Sequence, residues 1–376
     1  MLIYIFLLFI TLLFDFLYQQ KKISKNSCVF IFMALCILFT TISAIRYNVG
    51  TDFKNTYSNA FTWLKLGYKY PYEPLFLKLN YFIINLGGNI QHLIAFCSII
   101  TVPSFFWLIY KNVDDKYRFF SIFLFIGSTI YYASMNVIRQ YLAIAIIIFS
   151  IRWLKDKKYF LYVLAILFAM QFHTSAAFNF FILLAYLIYK KVSSNNKKMS
   201  IVLLIIYLIS IFGIIYDFRN IINMFDFIIP GKYVAYLNTV FVKEKNYSAL
   251  IKLVIPNFLL ILGLKNRREF NDEGLKLYSF IAIYLLTIIS NMFYGINVFV
   301  RLTWFCDIYL LLFIPYIIDI YKKRDTIVIL SKGVSIKFYN VIKLLLIVYF
   351  ISYNFMSIFY GGGHGVVPYN TFFKNI

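Results

Sequence analysis

Charge is scarce in this chain. Asp, Glu, Lys and Arg make up 14% of its 376 residues, against roughly 25% in soluble domains. Acidic residues are scarcer still, at 15 against 37 Lys and Arg. A surface so poor in charge faces lipid rather than water over most of its area. Cysteine is confined to Cys28, Cys36, Cys97 and Cys306, all within or beside apolar runs and none in a CxxC spacing. That argues against a disulfide framework and a metal site, and the four read as small core hydrophobes. Histidine occurs three times. No zinc spacing, Ser-His-Asp order, Walker loop or dinucleotide fingerprint is present, which argues against ATP-driven transport, metallohydrolysis and cofactor chemistry. No cofactor or metal is therefore expected.

What is abundant is apolar and aromatic. Hydrophobic residues are 62%, mean hydropathy is +0.78, and there are 43 Phe and 33 Tyr. The formal net charge of +22 is spread as short clusters between apolar runs, with no basic domain to hold a duplex, so nucleic acid is not an expected partner. Membrane topology accounts for it better, because Lys and Arg hold loops in the cytoplasm.

A spanning helix needs about 20 apolar residues, or about 17 at the short end. Runs at roughly 2–18, 28–45, 90–110, 118–135, 136–153, 159–175, 177–190, 200–216, 248–264, 275–293, 300–320 and 338–358 meet that standard. The expected fold is thus an all-α polytopic membrane protein of about twelve crossings in a single membrane domain, 1–376. The first run lacks a basic n-region and a cleavage site and reads as a retained helix. The stretch 74–88, interrupted by Lys78, Asn80 and Asn85, reads as interfacial or re-entrant. Alternate loops are then basic: Lys21 to Lys25, Lys111 to Arg118, Arg152 to Lys158, Lys190 to Lys198, Lys265 to Lys276 and Lys322 to Lys337. With Lys343 they hold about two thirds of all Lys and Arg, which places both termini outside the cytoplasm. Segments 46–89, 217–247 and the tail 359–376 are the expected outer-face material.

The polar landmarks collect at that outer face. Arg139 and Gln140 follow Asn136 at the start of an otherwise apolar helix. An intramembrane Arg marks function by default, the alternative being a side chain that snorkels to the headgroups. Arg301 repeats the arrangement, opening the run before Asp307. A guanidinium is always charged and offers a planar fork of donors, which suits a pyrophosphate. Arg46 opens a loop in which Gly50 permits a tight turn, and Thr51 or Asp52 either caps a short helix or belongs to the site. Glu73, between Tyr72 and Pro74, carries the same ambiguity. His173 sits at an outer helix end, where it either accepts a hydroxyl proton or hydrogen-bonds a phosphate, or is structural. His92 and His364 have no such company.

Arg-Tyr-x-Val-Gly-Thr-Asp-Phe-x-x-x-Tyr (46–57), Tyr-Glu-Pro (72–74), Asn-Val-Ile-Arg-Gln-x-Leu-Ala (136–143), Phe-His-x-Ser-Ala (172–176), Arg-Leu-Thr-Trp-Phe (301–305) and the Val-Pro-Tyr-Asn tail (367–370) resemble the EpsG-type proteins, which belong with the Wzy-like bacterial polysaccharide polymerases. The resemblance implies a GT-C-like, metal-independent glycosyltransferase of the bacterial inner membrane. It would join undecaprenyl-diphosphate-linked oligosaccharide repeats into O-antigen, capsule or exopolysaccharide at the outer face. Arg139 and Arg301, assisted by Arg46, would bind the donor pyrophosphate. His173 or Asp52 would orient or deprotonate the acceptor hydroxyl, with Gln140, Glu73 and Tyr57 in support. Membrane lipid, a chain-length regulator and a flippase are the further partners implied. The alternatives are a flippase for lipid-linked oligosaccharide, which needs charge in a cavity open to both faces, and a polysaccharide ligase or O-acetyltransferase. A ligase usually carries one dominant outer loop.

Overall fold

In the computed structural model of the protein, residues 1–192, 197–216, 247–270, 274–294, 296, 301–325, 327–331 and 334–375 are described. The chain divides into two compact units, Met1–Ala177 with Arg324–Ile376, and Phe178–Lys323.

The first unit is built on the helices α1 (Leu2–Gln19), α2 (Lys25–Ala44), α5 (Ile90–Asn112), α6 (Arg118–Gly127), α7 (Ile130–Asn136), α8 (Ile138–Lys155), α9 (Tyr159–Met170) and α16 (Phe338–Gly361). Short helices α3 (Asn59–Lys65) and α4 (Pro74–Asn85) lie between α2 and α5. Helix α5 packs against α2 and α8, α8 against α9, and α6 against α1 and α16. Phe119 to Gly127 are buried without a break, so α6 has no lipid face. Local signals fix the ends. Ser24 accepts from Ser27 N–H at 3.1 Å to open α2. Asn89 and His92 form a capping box at α5, which gives His92 a structural task. Pro74 occupies the first turn of α4, where its missing N–H costs nothing.

Among the described residues, six helices are long and apolar enough to cross a membrane, or eight if two bent pairs each count as one span. The architecture is polytopic and helical, with fewer such helices than the twelve expected spans. The expected span 118–135 is broken: α6 and α7 meet at 52°, with Thr129 left-handed at φ 66°. The run at 136–153 forms α8 but carries Arg139, Arg152 and Lys155. The runs at 159–175 and 200–216 form only short apolar helices, Tyr159–Met170 and Met199–Ile215. Helix α4, at 12 residues, spans about 18 Å and is too short to cross, in keeping with its interfacial reading. The basic loop before α16 contains an antiparallel hairpin, β1 (Ile327–Ser331) with β2 (Val334–Lys337), which the apolar pattern did not suggest.

The second unit contains α10 (Phe178–Val192), α11 (Lys197–Ile215), α12 (Tyr247–Lys265), α13 (Gly274–Met292), α14 (Trp304–Asp307) and α15 (Leu310–Lys323). Helix α13 is buried over most of its length and packs against α10, α11, α12 and α15. Polar ties cross its core. Asn291 donates to Ser210 Oγ at 3.2 Å and to Asn257 Oδ1 at 3.0 Å, and Thr287 Oγ1 donates to Pro256 O at 3.0 Å. The expected outer segment 217–247 lies, apart from Tyr247, outside the described residues.

The tail is built into the first unit by its backbone. Tyr47 N–H donates to Asn370 O at 3.0 Å, Gly50 N–H to Gly365 O at 2.8 Å, Thr51 N–H to His364 O at 3.1 Å and Phe372 N–H to Ile45 O at 2.9 Å. Arg46 and Thr371 form an antiparallel bridge. Tyr4 Oη closes the arrangement on Val366 O at 3.1 Å.

Candidate active site

The loop after α2 is shaped by one side chain. Asn136, the last residue of α7, accepts from Asp52 N–H at 2.9 Å and exchanges hydrogen bonds with Thr51 Oγ1. Gly50 lies against it at φ +103°, where a Cβ would meet Asn136 Oδ1 at 3.0 Å. Asp52 then opens one turn of π-helix, Phe53–Ser58, in which Tyr57 N–H reaches back to Asp52 O at 3.2 Å. The wide turn puts Tyr57 inside, 2% exposed. Asp52 makes no side-chain cap bond to this helix, so the capping explanation for its carboxylate does not hold.

Arg139 occupies the first turn of α8, whose N-terminus has no side-chain cap. Its guanidinium donates from Nη1 to Glu73 Oε2 at 2.7 Å, hydrogen-bonds the Tyr57 hydroxyl, and lies over the rings of Tyr72 and Phe76 at 5.0 and 5.9 Å. Its Nε is buried with no acceptor. A buried donor left open beside an uncapped helix start, with the macrodipole adding to the guanidinium charge, makes a ready anion site. Burial, and then the Asp52 carboxylate, push the Tyr57 phenol above its usual range. Tyr57 therefore stays a neutral hydroxyl beside the guanidinium.

Glu73 connects this cluster to α9. Its Oε1 accepts from Thr174 N–H at 3.4 Å, and Leu75 N–H donates to Gln171 O at 3.0 Å. Next to Thr174, His173 has its Nδ1 engaged by Ser175, by the backbone N–H at 3.2 Å and by Oγ at 2.6 Å. A backbone N–H can only donate, so Nδ1 is the acceptor and Nε2 carries the proton of the neutral ring.

The structure thus brings Asp52, Tyr57, Glu73, Arg139 and His173 into one polar cluster in the first unit. Arg46 is adjacent but committed to the frame. It is 1% exposed and donates to Ser43 O, Ser43 Oγ at 3.0 Å, Ser98 Oγ at 2.8 Å and Met135 O at 2.9 Å. Gln140 is buried. Arg301 belongs to the second unit, where it is exposed in a single 3₁₀ turn, Arg301–Thr303, over the Trp304 ring at 5.9 Å. Sequence reasoning passed over Tyr72, which stacks on Arg139 and is 8% exposed, and the tail backbone that pins residues 45–51. Among the described residues no group of three or more His, Cys, Asp or Glu side chains is placed to hold a metal ion.

A family model described as the EpsG family matches residues 29–371. No curated protein and no solved structure matches.

Proposed function

The chain belongs to the EpsG family, and on that premise we propose that it polymerises undecaprenyl-diphosphate-linked oligosaccharide repeats into a surface polysaccharide at the outer face of the inner membrane. The resemblance also implies a GT-C-like arrangement and a transfer that uses no metal. One observation carries the site assignment. Arg139 is held by Glu73 and Tyr57 yet keeps a buried Nε donor open at an uncapped helix start. A pyrophosphate supplies the acceptors that this arrangement lacks.

In the proposed reaction the acceptor hydroxyl oxygen attacks the donor's anomeric carbon, the bond from that carbon to the lipid pyrophosphate breaks, and the hydroxyl proton passes to a carboxylate. The pyrophosphate is already an activated leaving group, so the protein mainly positions reactants and neutralises developing charge. Arg139 takes that charge. His173, with Nδ1 occupied, presents an N–H donor that orients substrate oxygen. The proton goes to Asp52, the carboxylate with no cap bond to make. Arg46 acts through the frame by holding Ser98 and the Met135 carbonyl. Arg301 enters as a second pyrophosphate ligand through the resemblance alone.

The test is the length of surface glycan in a deletion strain complemented with wild type, Arg139→Ala or Arg139→Lys. Removing a donor aimed at developing negative charge costs about 10²–10³ in rate, so the Ala variant should leave single repeats. Lys should rescue poorly because it lacks the planar fork. Wild-type chain lengths in both variants would overturn the assignment. Complete absence of surface repeats in the deletion strain would point to a flippase or ligase instead.

A further inference from the structure

Between α3 and α4 the chain reads Trp63-Leu-Lys-Leu-Gly-Tyr-Lys-Tyr-Pro-Tyr72, and its rings form a graded series. Trp63 is 50% exposed and Tyr72 is 8% exposed, with the Tyr70 ring between them. The Trp63 and Tyr70 centroids are 6.0 Å apart, those of Tyr70 and Tyr72 are 4.5 Å apart, and Tyr72 carries the Arg139 guanidinium at 5.0 Å. The rings are tilted at 51° and 56°, the edge-on packing that aromatic pairs prefer at such separations, so each ring supports the next and the row is held in place. The lipid-exposed positions of α11 and α16 are mostly aliphatic, Ile, Leu and Val with some Phe and Tyr. This segment is different, an aromatic row on a turn that leads from the surface into a charged cluster.

We propose that Trp63 and Tyr70, backed by Tyr72, form a track for the sugar chain of the lipid-linked substrate, leading its acceptor end towards the polar cluster around Arg139 and Glu73. A pyranose has apolar C–H faces and hydroxyl edges. Aromatic rings with polar tips match both, one offering a flat apolar surface and the other a hydrogen-bonding rim. Trp63 is exposed and Tyr70 half-buried, so these two offer faces to sugar, whereas Tyr72, buried between Arg139 and Phe76 with its hydroxyl donating to Thr56 O, backs the row and joins it to the cluster. Continuity with Arg139 fixes the direction: whatever lies on the track ends at the candidate reaction centre. The inference rests on the polymerase reading of that centre and extends it to the glycan.

The experiment uses the full chain in detergent with lipid-linked repeats extracted from cells lacking the polymerase, and measures KM, kcat and product length. Trp63→Leu keeps the affinity for lipid and removes the flat ring, whereas Trp63→Phe keeps a ring. The track requires the Leu variant to raise KM for the lipid-linked repeat by roughly three- to tenfold, the scale of one aromatic contact, with kcat little changed and shorter products. Phe should stay near wild type. If Trp63→Leu matches wild type, or restores function lost in Trp63→Ala, the ring is a membrane anchor and the track is refuted. Tyr70→Leu against Tyr70→Phe repeats the test should a Trp63 variant fail to fold. Arg139→Ala runs in parallel. An inactive Arg139→Ala beside an unaffected Trp63→Leu removes the track alone, whereas wild-type protein that leaves the repeats unjoined removes the polymerase reading and the track together.

Discussion

Replacing Gly50 by alanine separates backbone strain from crowding at the candidate site. Any L-residue at φ +103° sits outside the favoured regions, at about 1–2 kcal/mol. The added methyl would also lie 3.0 Å from Asn136 Oδ1 and 3.2 Å from Asn136 Cα. The amide must then move, and it holds both Asp52 N–H and Thr51 Oγ1. Two hydrogen bonds at about 1 kcal/mol each bring the total to about 3–4 kcal/mol. Gly87 supplies the control, with φ +74° and nothing within 4 Å of an added Cβ, so Gly87→Ala carries only the strain. Thermal unfolding in detergent should show the control lowered by about 2–8 °C and Gly50→Ala lowered further by about 4–8 °C, at about 2–4 °C per kcal/mol for a unit of this size. Glycan length should fall for Gly50→Ala alone. Equal melting shifts in the two variants would refute the claim that Asn136 anchors the loop.

Three further outcomes follow from the geometry. Ser175→Ala removes the hydroxyl from His173 Nδ1 and should lower turnover roughly fivefold, the worth of one hydrogen bond, with an altered pH profile; Ser175→Thr should retain both. Asp15 of α1 pairs with Lys343 of α16 at 2.5 Å, with side chains 6% and 16% exposed. Asp15→Ala strands the ammonium at about 3–5 kcal/mol, measured as lost melting temperature or yield, whereas Asp15→Leu with Lys343→Leu should recover most of it. Burial raises the Tyr57 and Tyr72 phenols in the folded state. The unfolded chain loses these protons near pH 10 while the folded chain keeps them, so stability should fall as pH rises beyond about 10. Melting curves from pH 8 to 11 should show a smaller fall for Tyr57→Phe than for wild type.

The apolar runs foretold the positions of most helices because lipid demands long stretches of one character, and α1, α2, α5 and α16 follow those runs closely. Where the runs overreached, the cause is local. Thr129 turns left-handed and splits one expected span into α6 and α7. Arg139 was legible because a cation inside an apolar helix start has few bland explanations. Arg46 carried the same charge, and only coordinates show both its terminal nitrogens taken up by Ser43, Ser98 and Met135 in a fully buried setting. Tyr72 entered only as part of the Tyr-Glu-Pro motif, and nothing among 33 tyrosines marked its ring as the one under Arg139. The joining of 45–51 to 364–372 was invisible for a deeper reason: it runs through backbone groups, which every residue shares.

That joining has a temporal side. The loop bearing Asp52 emerges early in synthesis, while the strand that secures it comes more than three hundred residues later, as the separation of 362 between Tyr4 and Val366 illustrates. At ribosomal speed the wait is on the order of tens of seconds. Throughout it, the nascent chain carries Asp52 and Arg139 with the loop tied to Asn136 and its second fastening still to come. A chain interrupted before residue 364 holds the polar cluster and the Asn136 bonds but not the tail's backbone bonds to residues 45–51, so the loop would be held from one side only.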